Sequence, residues 1–314
     1  LCSCNNGGSE SGDLEPSDYT FLPQPTSGND ISFKILNRHD SPKHSKELTF
    51  SYDMADFVKK DPSVYDSEIA KLAVLLASDA YGWFDVEFAN ESKDEFVKGS
   101  LMEYIGLSDV QQYDLSGKFT EDPNDFCVAY IGYQSFYDDS NSQQQVVVVN
   151  FEGTNYDAEW ASNFDIGADT DSYKNISGEH SMWINKKHHK GFDVTFNRQL
   201  QNIEAYTSSH LKKDVPTTYF VTGHSRGGAL ANLYGAYLTD KNVKNFTYTF
   251  ASPNCVESSE VLSTKYTSKF NIVNGDDLIA NVPPIEVGFK RYGKDMVYKV
   301  SNLSDMYKEV TEER

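Results

Sequence analysis

The sequence has no uninterrupted apolar run approaching the roughly 20 residues that a membrane-spanning helix needs. We therefore expect a chain that is soluble, or tethered to a membrane by something other than a helix. Basic residues are also scarce: Lys and Arg total 28 against 47 Asp and Glu, a formal net charge of −19. That net field would repel a phosphate backbone and an anionic membrane surface. It argues against nucleic acid as a partner and against docking on a membrane by charge.

Cysteine is scarce too, with four in 314 residues. Cys127 and Cys255 lie on strand-like segments, where buried free thiols are commoner than a disulfide, although the sequence leaves both states open. The first four residues, Leu-Cys-Ser-Cys, resemble the end of a bacterial lipoprotein signal, the lipobox. This resemblance implies an acylated Cys4 that anchors the protein outside the cytoplasm of a bacterium, followed by a flexible polar tether. A disordered terminus with two unused thiols is the alternative.

A metal site is not indicated. Asp165, Asp169 and Asp171 alternate in the manner of a calcium loop, but no EF-hand pattern surrounds them, and a solvated acidic loop fits better. We expect no metal and no organic cofactor.

The order of predicted elements indicates an α/β fold with a mostly parallel sheet. Candidate helices cover 62–81, 91–105, 192–211 and 229–238, and candidate strands cover 31–36, 48–52, 126–131, 145–151, 219–222, 246–250, 269–273 and 295–300. From residue 125 onward, strands and helices alternate at spacings that suit crossover connections. We expect a flexible segment at 1–30 and one domain at 31–314, in which 31–124 packs as an addition on the core.

Two of these elements carry specific expectations. Asp61 and Pro62 suit the N-cap and first turn of the helix at 62–81, which has apolar residues at helical spacing. The run at 145–151 is almost continuously apolar, which predicts a central strand buried on both faces.

The stretch that organises the chain is Gly-His-Ser-Arg-Gly at 223–227, between a short β-branched run and a helix-favouring run. In this G-x-S-x-G pattern the serine occupies a strained turn that lifts its hydroxyl clear of the sheet. Gly223 and Gly227 lack a Cβ, so the helix can approach the strand closely. The helix N-terminus then directs peptide N–H groups at the place where an oxyanion would form. A tight turn with a solvent-facing serine is the alternative.

Several segments in order resemble the class 3 lipases, the fungal-type lipase family of α/β-hydrolases. Residues 149–154 resemble the family strand that ends in Arg-Gly-Thr, with Glu152 in place of the arginine, and Trp160 is placed like the tryptophan that follows. His-Lys-Gly-Phe at 189–192, Thr-Phe-Ala-Ser-Pro at 249–253 and the segment 274–284 resemble further family motifs. Together with the serine segment, the resemblance covers nearly half of the chain. It implies an α/β-hydrolase fold and ester hydrolysis.

The resemblance also implies roles for individual residues. Ser225 would be the nucleophile and Asp277 the acid that orients a histidine, with the neighbouring Asp276 as the alternative acid. The oxyanion hole would use the backbone N–H of Arg226 and that of Thr154. The Arg226 side chain replaces the more usual leucine, and we expect it to be a surface charge or to pair with a carboxylate near the mouth of the site.

The histidine that should complete the triad is missing from its usual place, because none of the seven histidines follows Ser225. The segment at 302–307, where the family histidine would be sought, has none. Three explanations are open: the histidine lies beyond the given sequence, a histidine from 155–190 folds over the site, or hydrolysis has been lost. His189 and His224 are expected to be structural.

Segment 155–190 corresponds to the lid region of the family, and its apolar residues would cover an acyl pocket. We expect a lipase- or esterase-like serine hydrolase acting on a lipid or other ester. A pseudo-hydrolase that binds a lipid or a partner without turnover is the alternative from another class. A thioesterase or phospholipase on the same scaffold is a third interpretation.

Overall fold

A computed structural model describes residues 30–35, 46–51, 53–81, 100–115, 127–153, 187–261 and 264–298. The helices are α1 (Met54–Lys59), α2 (Ser67–Asp79), α3 (Ser100–Tyr104), α4 (Lys190–His210) and α5 (Arg226–Asp240). The strands are β1 (Asp30–Ile35), β2 (Lys46–Ser51), β3 (Ser108–Asp114), β4 (Val128–Tyr137), β5 (Gln143–Phe151), β6 (Thr217–His224), β7 (Asn245–Phe250), β8 (Val256–Glu257), β9 (Lys269–Asn274), β10 (Phe289–Lys290) and β11 (Lys294–Tyr298).

The central sheet has seven strands in the order β11-β9-β7-β6-β5-β4-β3. The five strands from β11 to β5 run parallel, and β4 and β3 are antiparallel to their neighbours. The prediction of a mostly parallel sheet flanked by helices is therefore confirmed. Two small antiparallel pairs, β1-β2 and β8-β10, lie beside it.

Both faces of the sheet are covered, because the residues of β5 alternate between two apolar clusters. Val146 and Val148 pack with α1, α2 and α3 on one face, and Val147 and Val149 pack with α4 and α5 on the other. All four valines are at most 1% exposed. The prediction that 145–151 forms a strand buried on both faces is confirmed.

The helix expected at 62–81 begins later than its sequence suggested. Asp61 caps no helix: its carboxylate accepts hydrogen bonds from the backbone and hydroxyl of Ser63 in a separate turn. The N-cap is Asp66, whose carboxylate accepts from the backbone N–H groups of Glu68 and Ile69. The predicted N-cap at Asp61 was therefore wrong, because an aspartate at either position can cap the helix and the structure places the cap at Asp66.

Other boundaries follow the sequence closely in the carboxyl-terminal half, where α4, α5, β7 and β9 lie within a few residues of their predicted ranges. The sequence missed α1 and β3. Of the helix expected at 91–105, the described residues contain only α3. Cys127 and Cys255 are both buried free thiols. No helix among the described segments is long and apolar enough to cross a membrane.

Candidate active site

Ser225 lies at the junction of β6 and α5, with backbone angles φ 54° and ψ −125°. A positive φ is uncommon for a residue with a side chain and costs on the order of 1–3 kcal/mol, which the surrounding fold must supply. Here the Ser225 N–H donates to the Phe250 carbonyl at 2.9 Å, and the Ser225 carbonyl accepts from the Ala229 N–H in the first turn of α5. The side chain is partly exposed. The predicted strained turn between a strand and a helix is confirmed.

Two glycines allow the serine turn to pack closely against both α5 and β5. A Cβ on Gly223 would lie 2.3 Å from the Gly227 carbonyl oxygen, and one on Gly227 would lie 2.2 Å from the Phe151 oxygen. Real Cβ atoms do not approach backbone oxygens this closely, so neither position accepts a side chain without movement. The prediction that Gly223 and Gly227 permit close packing of strand and helix is confirmed. The Gly227 contact also links the serine turn to the end of β5, which leads to Thr154.

Asp277 lies three residues after the end of β9, on the same edge of the sheet as Ser225. Strand β7 separates β9 from β6, so the two strand ends are about 10 Å apart, which is two strand spacings. The partly buried Asp277 carboxylate accepts from the Ile279 N–H at 2.9 Å, whereas Asp276 is exposed.

The side chain of Arg291 supports the loop that carries Asp277. Its guanidinium donates to the Ala280 carbonyl and, at 2.7 Å, to the Ser252 carbonyl, while a second face of the group binds Asp295. Asn254 binds the residues that follow this loop: its backbone N–H donates to the Val282 carbonyl, and its side-chain amide donates to the Pro283 carbonyl. The sequence analysis did not identify Arg291, because nothing in the local pattern indicates a guanidinium buried in a polar network.

The buried side chain of Arg226 overturns the first of its two sequence predictions, that of a surface charge. The residue is 1% exposed, and its guanidinium Nη2 donates to Thr195 Oγ1 on α4 at 2.8 Å. The guanidinium carbon lies 5.8 Å from the centre of the Phe192 ring. It is therefore not a surface charge. The first turn of a helix points side chains back over the preceding residues, which here directs Arg226 into the packing between α5 and α4.

The four histidines within the described ranges all have other contacts. His188 pairs with Asp193, His189 is fully buried beside Phe192, and His210 stacks on Tyr206. His224 Nδ1 lies 3.0 Å from the Tyr81 hydroxyl. Among the described residues, none forms a hydrogen bond with Ser225 Oγ.

His224 nevertheless lies in the electrostatic field of the candidate acid. Burial lowers the pKa of its imidazole, and the negative charge of Asp277 opposes that change in part. The ring is therefore neutral at neutral pH.

Several predicted features fall outside the described ranges. These are Thr154, Cys4, most of the lid segment at 155–190, the acidic positions 165, 169 and 171, and the segment at 302–307. Among the described residues, no group of three or more His, Cys, Asp or Glu side chains could hold a metal ion.

Part of the chain is similar to known proteins. The sequence profile of the family described as Lipase (class 3) matches residues 148–287, which run from the second half of β5 through the serine turn to the Asp277 loop. A secreted mono- and diacylglycerol lipase 1 from Fusarium solani is 26% identical over 153 residues. That alignment covers 48% of this chain and 43% of the fungal lipase, so the chain spans less than half of that relative's length.

Solved lipase structures also superpose on the chain. The triacylglyceride lipase of Rhizomucor miehei is 18% identical, with a TM-score of 0.49 over 77% of this chain and 83% of the other. Lipase II of Rhizopus niveus is 17% identical, with a TM-score of 0.48 over 76% and 83%. Residues 148–287 are therefore similar to the class 3 lipase family, in a chain whose described strands form the mostly parallel sheet expected of an α/β-hydrolase.

Proposed function

We propose that this protein is a serine ester hydrolase of the lipase or esterase type, which cleaves carboxylic esters of lipids through an acyl-enzyme on Ser225. The observation that carries the proposal is the backbone of Ser225 (φ 54°, ψ −125°), in a glycine-packed turn inside the segment that matches the class 3 lipases. An ordinary helix N-cap adopts an extended backbone, as Asp66 does on α2. The strained turn instead has the geometry of an exposed nucleophile.

In the proposed mechanism the Ser225 hydroxyl attacks the ester carbonyl while a histidine takes its proton. The Asp277 carboxylate orients that histidine and stabilises the imidazolium, without itself becoming protonated. Asp277 is preferred to Asp276 because Asp277 is partly buried and its charge reaches His224 beside the serine. The alcohol leaves with the proton from the imidazolium, and water then releases the acid by the same steps in reverse roles.

The oxyanion of the tetrahedral intermediate would be bound by two backbone N–H groups. That of Arg226 begins α5, where the helix dipole favours negative charge. That of Thr154 follows Gly153 at the end of β5, which packs against the serine turn through Gly227. Losing one such donor lowers kcat by about 100- to 1,000-fold in serine hydrolases.

None of the described residues takes the role of the catalytic base. His188 and His189 are buried in the interior, which leaves His180 as the histidine of segment 155–190 with no position assigned. We therefore propose His180 as the first residue to test, with a histidine outside the given sequence as the other source. Loss of activity in His180→Ala at unchanged melting temperature would support the first source, and full activity would exclude His180 as the base.

The class of substrate is proposed from the relative that matches this segment. That protein is named as a secreted mono- and diacylglycerol lipase, so we propose partial glycerides or similar lipid esters outside the cytoplasm. The lipobox resemblance adds a tether through acylated Cys4 as part of the same proposal. We also propose one domain over 31–314, with 31–124 as an addition, because α1, α2 and α3 share an apolar cluster with the sheet.

The test is hydrolysis of p-nitrophenyl esters and of monoacylglycerol by the full chain, with Ser225→Ala as the comparison. We expect the wild type to turn over and the alanine variant to lose at least about 1,000-fold. A fluorophosphonate probe should label the wild type once, at Ser225. Hydrolysis that persists in Ser225→Ala would remove this mechanism.

A panel of thioesters and phospholipids separates the remaining interpretations on the same scaffold. The family match favours hydrolysis over the pseudo-hydrolase alternative. A preference for thioesters or for glycerophospholipids over glycerides would change the proposed substrate and keep the mechanism.

A further inference from the structure

Helix α2 is attached to the two strands that lead into the site. Asn150 Nδ2 on β5 donates to the Leu76 carbonyl, and Thr222 Oγ1 on β6 donates to the Ala73 carbonyl at 3.1 Å. Both side chains are fully buried. These bonds fix the helix along its axis as well as by apolar packing. Tyr81, two residues after the last residue of the helix, therefore has a defined position relative to both strand ends.

Tyr81 reaches the residue directly before the candidate nucleophile. Its hydroxyl lies 3.0 Å from His224 Nδ1, and the two rings meet edge to face with centroids 5.6 Å apart. Its hydroxyl also fills the space beside Gly153. A Cβ on Gly153 would lie 1.6 Å from that oxygen and 2.6 Å from the His224 carbonyl oxygen. One phenol thus contacts the ends of β5 and β6 together.

These two strand ends are the segments from which the oxyanion donors would come. Gly153 immediately precedes Thr154, and His224 precedes Ser225 and Arg226 by one and two residues. A displacement of one segment relative to the other would change the distance between the two N–H groups. Catalysis is sensitive to displacements of this kind, because donors must already point at the developing charge.

We propose that Tyr81 is a positioning residue for this site, whose hydroxyl holds His224 and the Gly153 backbone in register and so keeps the serine turn in place relative to the end of β5. This inference rests on the proposed ester hydrolysis and adds a residue to it. Tyr81 lies outside the segment 148–287 that matches the lipase family. The amino-terminal part of the chain would then serve the site directly, as well as covering one face of the sheet.

A phenol suits this position for two reasons. The neutral imidazole of His224 is partly buried, so its Nδ1 needs a polar partner there to avoid an unpaired group. The flat ring at the same time fits against Gly153, where no side chain can intervene. Phenylalanine would retain the ring and remove only the hydrogen bond.

The experiment compares Tyr81→Phe with Tyr248→Phe and Ser225→Ala in the full chain. Tyr248 is the matched control, because its hydroxyl binds the Asp66 N–H at 3.0 Å at the other end of the same helix. For Tyr81→Phe we expect kcat on p-nitrophenyl esters to fall about 10- to 100-fold, with KM changed less than about twofold. Tyr248→Phe should retain wild-type kcat even if its melting temperature falls.

Imidazole NMR gives a readout that does not depend on activity. The ring nitrogen signals of His224 should shift in Tyr81→Phe and stay in place in Tyr248→Phe. A kcat of Tyr81→Phe close to the wild-type value, in a protein that Ser225→Ala inactivates, would overturn this inference and leave the proposed function intact. An inactive wild type would overturn the proposed function. Unchanged His224 signals in Tyr81→Phe would overturn the positioning contact in either case.

Discussion

His188 Nδ1 lies 2.6 Å from Asp193 Oδ1, between side chains that are only 0% and 2% exposed. The second ring nitrogen of His188 faces the Tyr292 hydroxyl at 3.2 Å, and Asn197 Nδ2 lies 3.3 Å from the other Asp193 oxygen. Burial raises the pKa of the Asp193 carboxyl well above its ordinary value, and the hydrogen bond from Asn197 opposes that rise. This buried pair fixes the first turn of α4 to the segment that enters it.

The pair predicts a pH-dependent contribution to stability. The pKa of Asp193 is raised on folding. The stabilisation that this carboxyl contributes is therefore complete below its unfolded pKa, near 3.8, and is lost as the pH rises through its folded pKa. We therefore expect the melting temperature of the wild type, relative to Asp193→Asn, to fall as the pH is raised. Thermal unfolding across the pH range measures this. Asp276→Asn, at an exposed position, is the control, and a constant difference for Asp193→Asn would contradict the prediction.

Gly223→Ala tests the close packing of the serine turn. The new Cβ would lie 2.3 Å from the Gly227 oxygen, so we expect a loss of about 1–3 kcal/mol in the free energy of unfolding and of most ester hydrolysis. Gly288→Ala is the matched control: its φ of 93° imposes about 1 kcal/mol of backbone strain, but no heavy atom lies within 4 Å. Urea denaturation and esterase assays measure both variants. An active Gly223→Ala protein of wild-type stability would refute the packing argument.

Arg291→Lys tests the support of the Asp277 loop. An ammonium cannot bind Asp295 with two parallel bonds and reach the carbonyls of Ser252 and Ala280 as well. We expect a loss of about 2 kcal/mol in unfolding free energy, together with a lower kcat, because Ala280 lies three residues after Asp277. Lys187→Met breaks an exposed ion pair with Glu257 and should cost less than about 1 kcal/mol. Equal effects of the two substitutions would contradict this account.

Lys269→Met tests a lysine that is 0% exposed. Its ammonium binds Thr239 and Ser268, and burial lowers its pKa to about 7, with Asp240 opposing that change. The wild type should therefore lose stability as the pH falls from the unfolded value of 10.5 towards 7, where the unfolded chain binds a proton that the folded chain does not.

The methionine variant should lack this dependence, so its melting temperature relative to the wild type should rise over the same interval. Below pH 7 the difference should become constant, because both states of the wild type are then charged. Lys241→Met, whose ammonium lies over the Tyr237 ring at the surface, is the control. Parallel melting curves for Lys269→Met and the wild type across this interval would rule out the depressed pKa.

The local pattern alone was sufficient for the central strand, the serine turn and the long helices of the carboxyl-terminal half. In these segments, burial on both faces of β5 and the missing Cβ atoms at 223 and 227 leave few alternative structures. The N-cap of α2 was less determined, since Asp61 and Asp66 both precede the same apolar stripe. Only the fold decided between them.

Contacts between distant segments could not be derived from the sequence. Tyr81 and His224 are 143 positions apart, and Arg291 reaches back to Ser252, so no local spacing relates them. The interior position of Arg226 depends on how α5 packs against α4, which its sequence neighbours do not specify. The chain by itself therefore determined where the serine turn lies, because a turn's backbone is a local property. The tertiary structure decided which side chains hold that turn in place, because their contacts depend on the packing of the whole sheet.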